Sequence, residues 1–142
     1  MNKKLWNTKE KQVSKEINSF LAGEDIILDK SIFTYDIDAS IAHVNGLQSI
    51  GIIKKSELAK LNKSLKSLKK KFLDGSFKLT DHYEDCHSAI EFYLTQELGD
   101  LGKKVHTGRS RNDQVIVAMR LFAKDNLVEF KNINKIIAKT FL

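Results

Sequence analysis

The sequence predicts an all-α fold. Apolar residues recur at spacings of three and four along most of the chain, no segment keeps a convincing alternation of period two, and proline is absent from all 142 residues. Average usage of about 5% would supply several prolines, so nothing of that kind interrupts long helices.

Taken in order, the first segment runs from about Asn7 to Leu21, with Val13, Ile17, Phe20 and Leu21 on one face. Gly23-Glu24-Asp25 reads as the turn that ends it. The second, from about Asp29 to Ile50, carries Phe33, Ile37, Ile41, Val44 and Leu47 at helical spacing and closes at Gly51. Ser56 suits the N-cap of a third helix, which stops before Gly75. Phe77-Lys78-Leu79 is long enough only for a brief extended stretch. The fourth helix covers about Glu84 to Leu98, turning Ile90, Tyr93, Leu94 and Leu98 inward, with Gly99 behind it.

The fifth segment opens on Ser110-Arg111-Asn112-Asp113, the S-x-x-D form of a capping box. Val115, Ala118, Met119, Phe122, Ile133, Ile136 and Ile137 then hold the helical pattern to the last residues, Thr140-Phe141-Leu142. A helix of about thirty residues exceeds usual globular lengths and suits a long bundle. Its apolar, uncapped end leads us to expect that the natural chain continues.

Composition bounds the function. A chain of 142 residues suits one domain of ordinary size and can bury roughly two-thirds of its unfolded surface. With 42% hydrophobic and 30% charged residues, its balance is that of a folded rather than a disordered protein. No apolar run approaches the ~18 residues that a membrane span requires. The opening Met1-Asn2-Lys3-Lys4-Leu5-Trp6 has no apolar run behind it, so no signal peptide is expected. The single cysteine, Cys86, cannot close an internal disulfide and points to a reducing, cytoplasmic setting.

The net charge of +6 invites a nucleic-acid reading, but its location argues otherwise. Eight lysines between Lys54 and Lys71, against Glu57 alone, make that stretch +7 and leave the remainder at −1. Leu58, Leu61, Leu65, Leu68 and Phe72 recur through the same window, describing an amphipathic helix with a solvated lysine face. Nucleic-acid surfaces usually interleave arginine, aromatics or glycine, and this face has lysine only. We therefore expect no nucleic-acid partner and no membrane association.

Chemistry concentrates between the fourth and fifth helices, at Gly102-Lys103-Lys104-Val105-His106-Thr107-Gly108-Arg109-Ser110-Arg111-Asn112-Asp113-Gln114-Val115. Arginine forks match carboxylates bidentately, free N–H groups and the helix dipole favour an anion at a helix N-terminus, and Gly108 allows close backbone approach. The blander reading is a polar loop whose Ser110 only caps a helix.

His106-Thr107-Gly108-Arg109-Ser110-Arg111-Asn112-Asp113-Gln114-Val115 resembles, without a gap, the first signature region of the argininosuccinate lyase family. The resemblance includes Lys4-Leu5-Trp6, Asp36-Ile37-Asp38-Ala39-Ser40-Ile41-Ala42-His43, Gly51-Ile52-Ile53, the Glu84-Asp85-Cys86-His87 tetrad and the Gly99 to Lys104 approach, and it covers the whole chain. Fumarase and aspartase relatives share only a Ser-x-Asn-Asp core. The resemblance implies reversible elimination of arginine from argininosuccinate to leave fumarate, with no cofactor and no metal. A base would take a proton beside a carboxylate while an acid assists the leaving guanidino nitrogen.

By the same resemblance, Ser110 and Asn112 would hold the fumarate-forming half, Arg111 the carboxylate at the arginine end, and Thr107 would support the loop. His87 would line the substrate pocket. Asn112 offers both a donor and an acceptor, which suits orientation better than proton transfer. The family's acid and base belong to Thr-His-x-Gln and Gly-Ser-Ser-x-Met-Pro segments beyond Leu142, so no catalytic acid or base is expected in these residues. A serine that touches substrate in many members, near the turn after the first helix, has no clear counterpart at Gly23-Glu24-Asp25.

His82 and Cys86, four apart, could face one metal if both lay on a helix, with Glu84, Asp85 and His87 nearby, but one cysteine and two local histidines without a second ligand pair are a weak zinc signal. His43, on the second helix, and His82, at the start of the fourth, read as structural; His106 reads as support for the loop. The resemblance implies a small helical N-terminal domain over residues 1–111, followed from 112–142 by the first long helix of a central bundle, and a homotetramer. Two other functions stay open: a delta-crystallin-like structural member of the same family, which is similar throughout this region and which only turnover would separate, and a basic helical nucleic-acid-binding module, supported by the lysine face alone.

Overall fold

The computed structural model describes residues 25–80 and 82–141. The helix expected over 7–21, the opening Lys4-Leu5-Trp6 and the turn at Gly23-Glu24 lie outside them. Within them the elements are α1 (Asp25–Asp29), α2 (Phe33–Ser49), α3 (Lys55–Leu73), α4 (Cys86–Leu98), α5 (Asp100–Lys103), a 3₁₀ turn (Lys104–His106) and α6 (Arg111–Thr140). There is no strand among the described residues, as the all-α reading requires. Phe77-Lys78-Leu79 is irregular, with Leu79 buried. No helix there is long and apolar enough to cross a membrane.

The core lies where α2, α3 and α4 meet. Helix α2 contributes Phe33, Ile37, Val44 and Leu47, helix α3 contributes Leu61, Leu65 and Leu68, and α4 contributes Ala89, Ile90 and Leu94. These positions repeat every three or four residues, so each helix turns one stripe inward. Each fully buried leucine or isoleucine side chain contributes about 1.5–3 kcal/mol. Phe33 also meets the Phe72 ring at 4.6 Å and stacks on Phe77 at 5.8 Å. The lysines of α3 face outward; Lys69 pairs with Asp38 of α2 at 2.6 Å.

Some boundaries differ from expectation. The second helix does not run unbroken from Asp29: it breaks at 30–32, where Ser31 and Ile32 donate back to the Leu28 and Asp29 carbonyls in tight turns. The Asp29 carboxylate is drawn away to accept the Cys86 N–H at 2.8 Å, tying α1 to the head of α4. The third helix starts two residues before Ser56 would place it. Glu57 accepts the Lys54 N–H at 2.8 Å, which satisfies a donor left free at the helix start and makes Lys54 the N-cap.

Helix α4 starts two residues after the expected Glu84, and α6 follows the sequence closely. Asp85 caps α4 by accepting the Ser88 N–H at 2.7 Å. Helix α6 has 30 residues and opens on the expected capping box: Asp113 accepts the Ser110 N–H at 2.7 Å, and the Ser110 hydroxyl accepts the Asp113 N–H at 3.3 Å. Only its first turns join the core, through buried Gln114 and Ala118 and half-buried Phe122. Farther along, Leu127, Val128, Phe130, Ile133, Ile136 and Ile137 are exposed.

Candidate functional site

Two glycines set the path of the loop between α4 and α6. Gly102 is buried against α4, and a Cβ there would lie 2.3 Å from the Leu94 carbonyl group, so only glycine lets α5 sit so close. Gly108 has φ +73°, in the left-handed region that favours glycine, with open space beside it. Between them the 3₁₀ turn buries Val105, and the His106 carbonyl accepts the Arg109 N–H at 3.4 Å. His106 thus supports the loop through its backbone.

Four of the expected residues lie together on this loop. Thr107 is half-buried, and its carbonyl accepts a hydrogen bond from His43 Nε2 at 2.9 Å. Ser110 is exposed as the N-cap of α6, its hydroxyl engaged with Asp113. Those Ser110 contacts hold the Asp113 carboxyl below its ordinary pKa, the backbone N–H contributing most. Arg111 reaches across to the start of α4, donating to the Ser88 hydroxyl at 3.2 Å and lying 3.4 Å from Asp85. Asn112 is exposed, and among the described residues its side-chain amide makes no hydrogen bond. Its donor and acceptor are both uncommitted at the exposed mouth of the helix; the other amide of that turn, Gln114, is buried, and its Oε1 also lacks a partner.

His87 sits next to this group but faces inward. It is 2% exposed, and its Nδ1 lies 2.5 Å from Oδ2 of Asp36, itself fully buried. The thiol of Cys86 completes a cluster with them; its Sγ is 3.7 Å from His87 Nδ1 and 4.0 Å from Asp36 Oδ2. Burial, and then the neighbouring Asp36, Asp29 and Asp85 carboxylates, push that thiol far above its ordinary pKa, so it is no thiolate nucleophile. Two ligands of one tetrahedral ion with bonds near 2.1 Å sit about 3.3 Å apart. Asp36 and His87 are closer than that, which fits a direct hydrogen bond rather than a shared metal. His82 lies ahead of α4 rather than on it, so the i, i+4 pairing of His82 with Cys86 does not form.

The site also includes residues that the sequence alone did not single out. Asp36 and Ser40 are both fully buried on α2, and Ser40 accepts from Arg109 Nη2 at 2.9 Å. With His43 they form a row at spacings of four and three, beside the apolar row of Phe33, Ile37, Val44 and Leu47. A carboxylate and a hydroxyl flanking the buried stripe of a helix were the available signal, because such groups need partners when buried. Burial lowers the pKa of the Arg109 guanidinium, while nearby Asp36 offsets part of that cost.

An all-α scaffold thus presents an arginine, a free amide and a glycine-hinged loop at the N-terminus of a 30-residue helix, groups whose chemistry suits an anion. A family described as lyase matches residues 10–141, and the chain belongs to that family. Its curated relatives are more specific. The argininosuccinate lyase of Xanthomonas campestris pv. campestris (strain B100) is 51% identical over all 142 residues, which cover 33% of that protein. That of Stenotrophomonas maltophilia (strain K279a) is 49% identical over 138 residues, 97% of this chain and 32% of the relative. The chain therefore spans about a third of the length of the curated relatives it matches.

Proposed function

We propose that these residues form the N-terminal third of a cytoplasmic argininosuccinate lyase, and that the loop from Thr107 to Asn112 holds its substrate. The observation that carries this reading is the likeness to argininosuccinate lyases across the whole chain, at 51% identity. The geometry supports it: Arg111 and the uncommitted Asn112 stand side by side at a helix N-terminus, as recognition of a dicarboxylate requires.

In the reaction a base takes a proton from the carbon beside a carboxylate of the succinyl half. The electron pair left behind forms the carbon–carbon double bond as the bond to the guanidino nitrogen breaks. An acid protonates that nitrogen, so fumarate and arginine leave without a cofactor. Charge builds on the carboxylate as the carbanion forms, and donors fixed around it lower the barrier. Ser110 and Asn112 hold the fumarate-forming half, Arg111 binds the carboxylate at the arginine end, Thr107 supports the loop, and His87, turned inward onto Asp36, backs the pocket wall from behind. The acid and base come from Thr-His-x-Gln and Gly-Ser-Ser-x-Met-Pro segments, which the 142 residues do not contain.

Residues 1–111 form the small helical domain in this reading, and 112–142 begin the central bundle. The bare apolar face of α6 is what a bundle shared among four copies requires. The test is direct. The full-length protein given argininosuccinate should release fumarate, followed by its ultraviolet absorbance, and a full-length protein that releases none overturns the assignment.

A further inference from the structure

The row of polar residues on α2 does more than satisfy itself. Thr107 and Arg109 flank Gly108, the residue whose positive φ lets the chain turn into α6. Each is tied to α2 by one bond: the Thr107 carbonyl by His43 at 2.9 Å, and the Arg109 guanidinium by Ser40 at 2.9 Å. A carbonyl oxygen can only accept, so His43 Nε2 carries the hydrogen. Glycine tolerates a wide range of backbone angles, so a loop hinged on it needs fixing on both sides to hold one conformation.

We propose that His43 and Ser40 are positioning residues that clamp the loop on either side of Gly108 and thereby aim Arg111 and Asn112 at the ligand. The proposal rests on the substrate-binding reading of that loop. Neither residue touches the ligand. Arg109, half-buried and turned toward α2, belongs to the clamp, which separates its task from that of Arg111. Misplacement of a binding group by even an ångström weakens binding and rate steeply. The clamp therefore acts on affinity through geometry alone.

The test compares His43→Leu, which removes the donor, with His43→Gln, whose amide N–H can reach the same carbonyl, in the full-length protein. Ser40→Ala probes the other side. Two readouts are taken: KM for argininosuccinate, and hydrogen exchange of the amides from Gly108 to Asn112, with those of Leu61 to Leu68 on α3 as an internal reference. His43→Leu should raise KM about tenfold, the loss of one hydrogen bond. It should quicken exchange in the loop by a similar factor and leave α3 unchanged, and His43→Gln should restore both. Unchanged loop exchange in His43→Leu overturns the proposal. So does faster exchange with normal KM, or a His43→Gln protein that behaves like His43→Leu. If His43→Leu does not fold, Ser40→Ala decides by the same two criteria. A wild-type protein without turnover sinks the substrate assignment instead, and loop exchange then decides on the clamp by itself.

Discussion

Asp36 on α2 and His87 on α4 meet at 2.5 Å with both side chains withdrawn from water, although 51 positions separate them in the chain. Removing one partner leaves the other's buried polar group without its hydrogen bond, at a cost of about 1–3 kcal/mol. Asp36→Ala should therefore lower stability by that amount in chemical denaturation. The exposed Lys69–Asp38 pair, between α3 and α2, is the comparison. Lys69→Ala should cost no more than about 1 kcal/mol. Equal losses at the two sites would show that burial does not set the strength of the Asp36 pair.

The loop makes a separate prediction in the full-length enzyme. Asn112→Ala should reduce turnover about a hundredfold, the effect of losing one positioned hydrogen-bonding group, and leave the melting temperature near that of the wild type, because the side chain has no partner in the fold. Arg111→Lys keeps the charge and loses the planar fork, so KM should rise more than kcat falls. Lys66→Ala on the exposed face of α3 should change neither. If Asn112 served only the fold, Asn112→Ala would lower the melting temperature and spare turnover per folded molecule.

Glycine replacements should differ sharply by position. Gly102→Ala would drive a methyl group into the α4 backbone at Leu94, where no flexible side chain can yield. It should destabilise the protein by several kcal/mol, within the range for severe steric defects of about 4–5 kcal/mol. Gly46 lies inside α2 with nothing within 4 Å of a new Cβ. Gly46→Ala should stabilise by about 0.5–1 kcal/mol through the helix preference alone. Melting temperatures that move in the same direction for both variants would contradict this contrast.

The pH dependence of stability should carry a signature of His43. Burial disfavours its charged form, nearby Arg109 adds repulsion, and its pKa lies below the ordinary 6.5 despite the bond to Thr107. The unfolded ring then takes up its proton at a higher pH than the folded one, so stability rises with pH through this interval. Its contribution is complete above about 6.5 and is lost as pH falls through the lower folded-state value. In His43→Gln that part of the decline should vanish. The difference in melting temperature between wild type and variant, measured at pH 7.5 and near pH 5, checks it; a constant difference would refute the assignment.

What the sequence made legible was local. The capping box at Ser110 and Asp113 could be read because both partners lie within one turn. The inward faces of α2, α3 and α4 could be read because helical spacing repeats in the chain itself. The break after α1 could not, since the Asp29 carboxylate turns toward Cys86, whose approach depends on how the helices pack. Nor could the inward turn of His87, which needs Asp36 beside it. Ser56 misled because Glu57 satisfies the helix start two residues earlier, at Lys54. The motif pointed to the loop from Thr107 to Asn112, and the row on α2 that bonds to it came only with the fold.

Helix α6 is also a lever. At about 1.5 Å per residue its 30 residues span about 45 Å. Its seat in the core lies at one end, at Gln114 and Ala118, a few residues from Asn112. Rotating such a rod by about 5° about that seat, with about 35 Å of helix beyond it, would carry the far end through about 3 Å and the near end through a small fraction of that. Whatever covers Leu127 to Ile137 would therefore fix the bearing of the helix with a long mechanical advantage, while the direction of Asn112 stays with the contacts beside the loop.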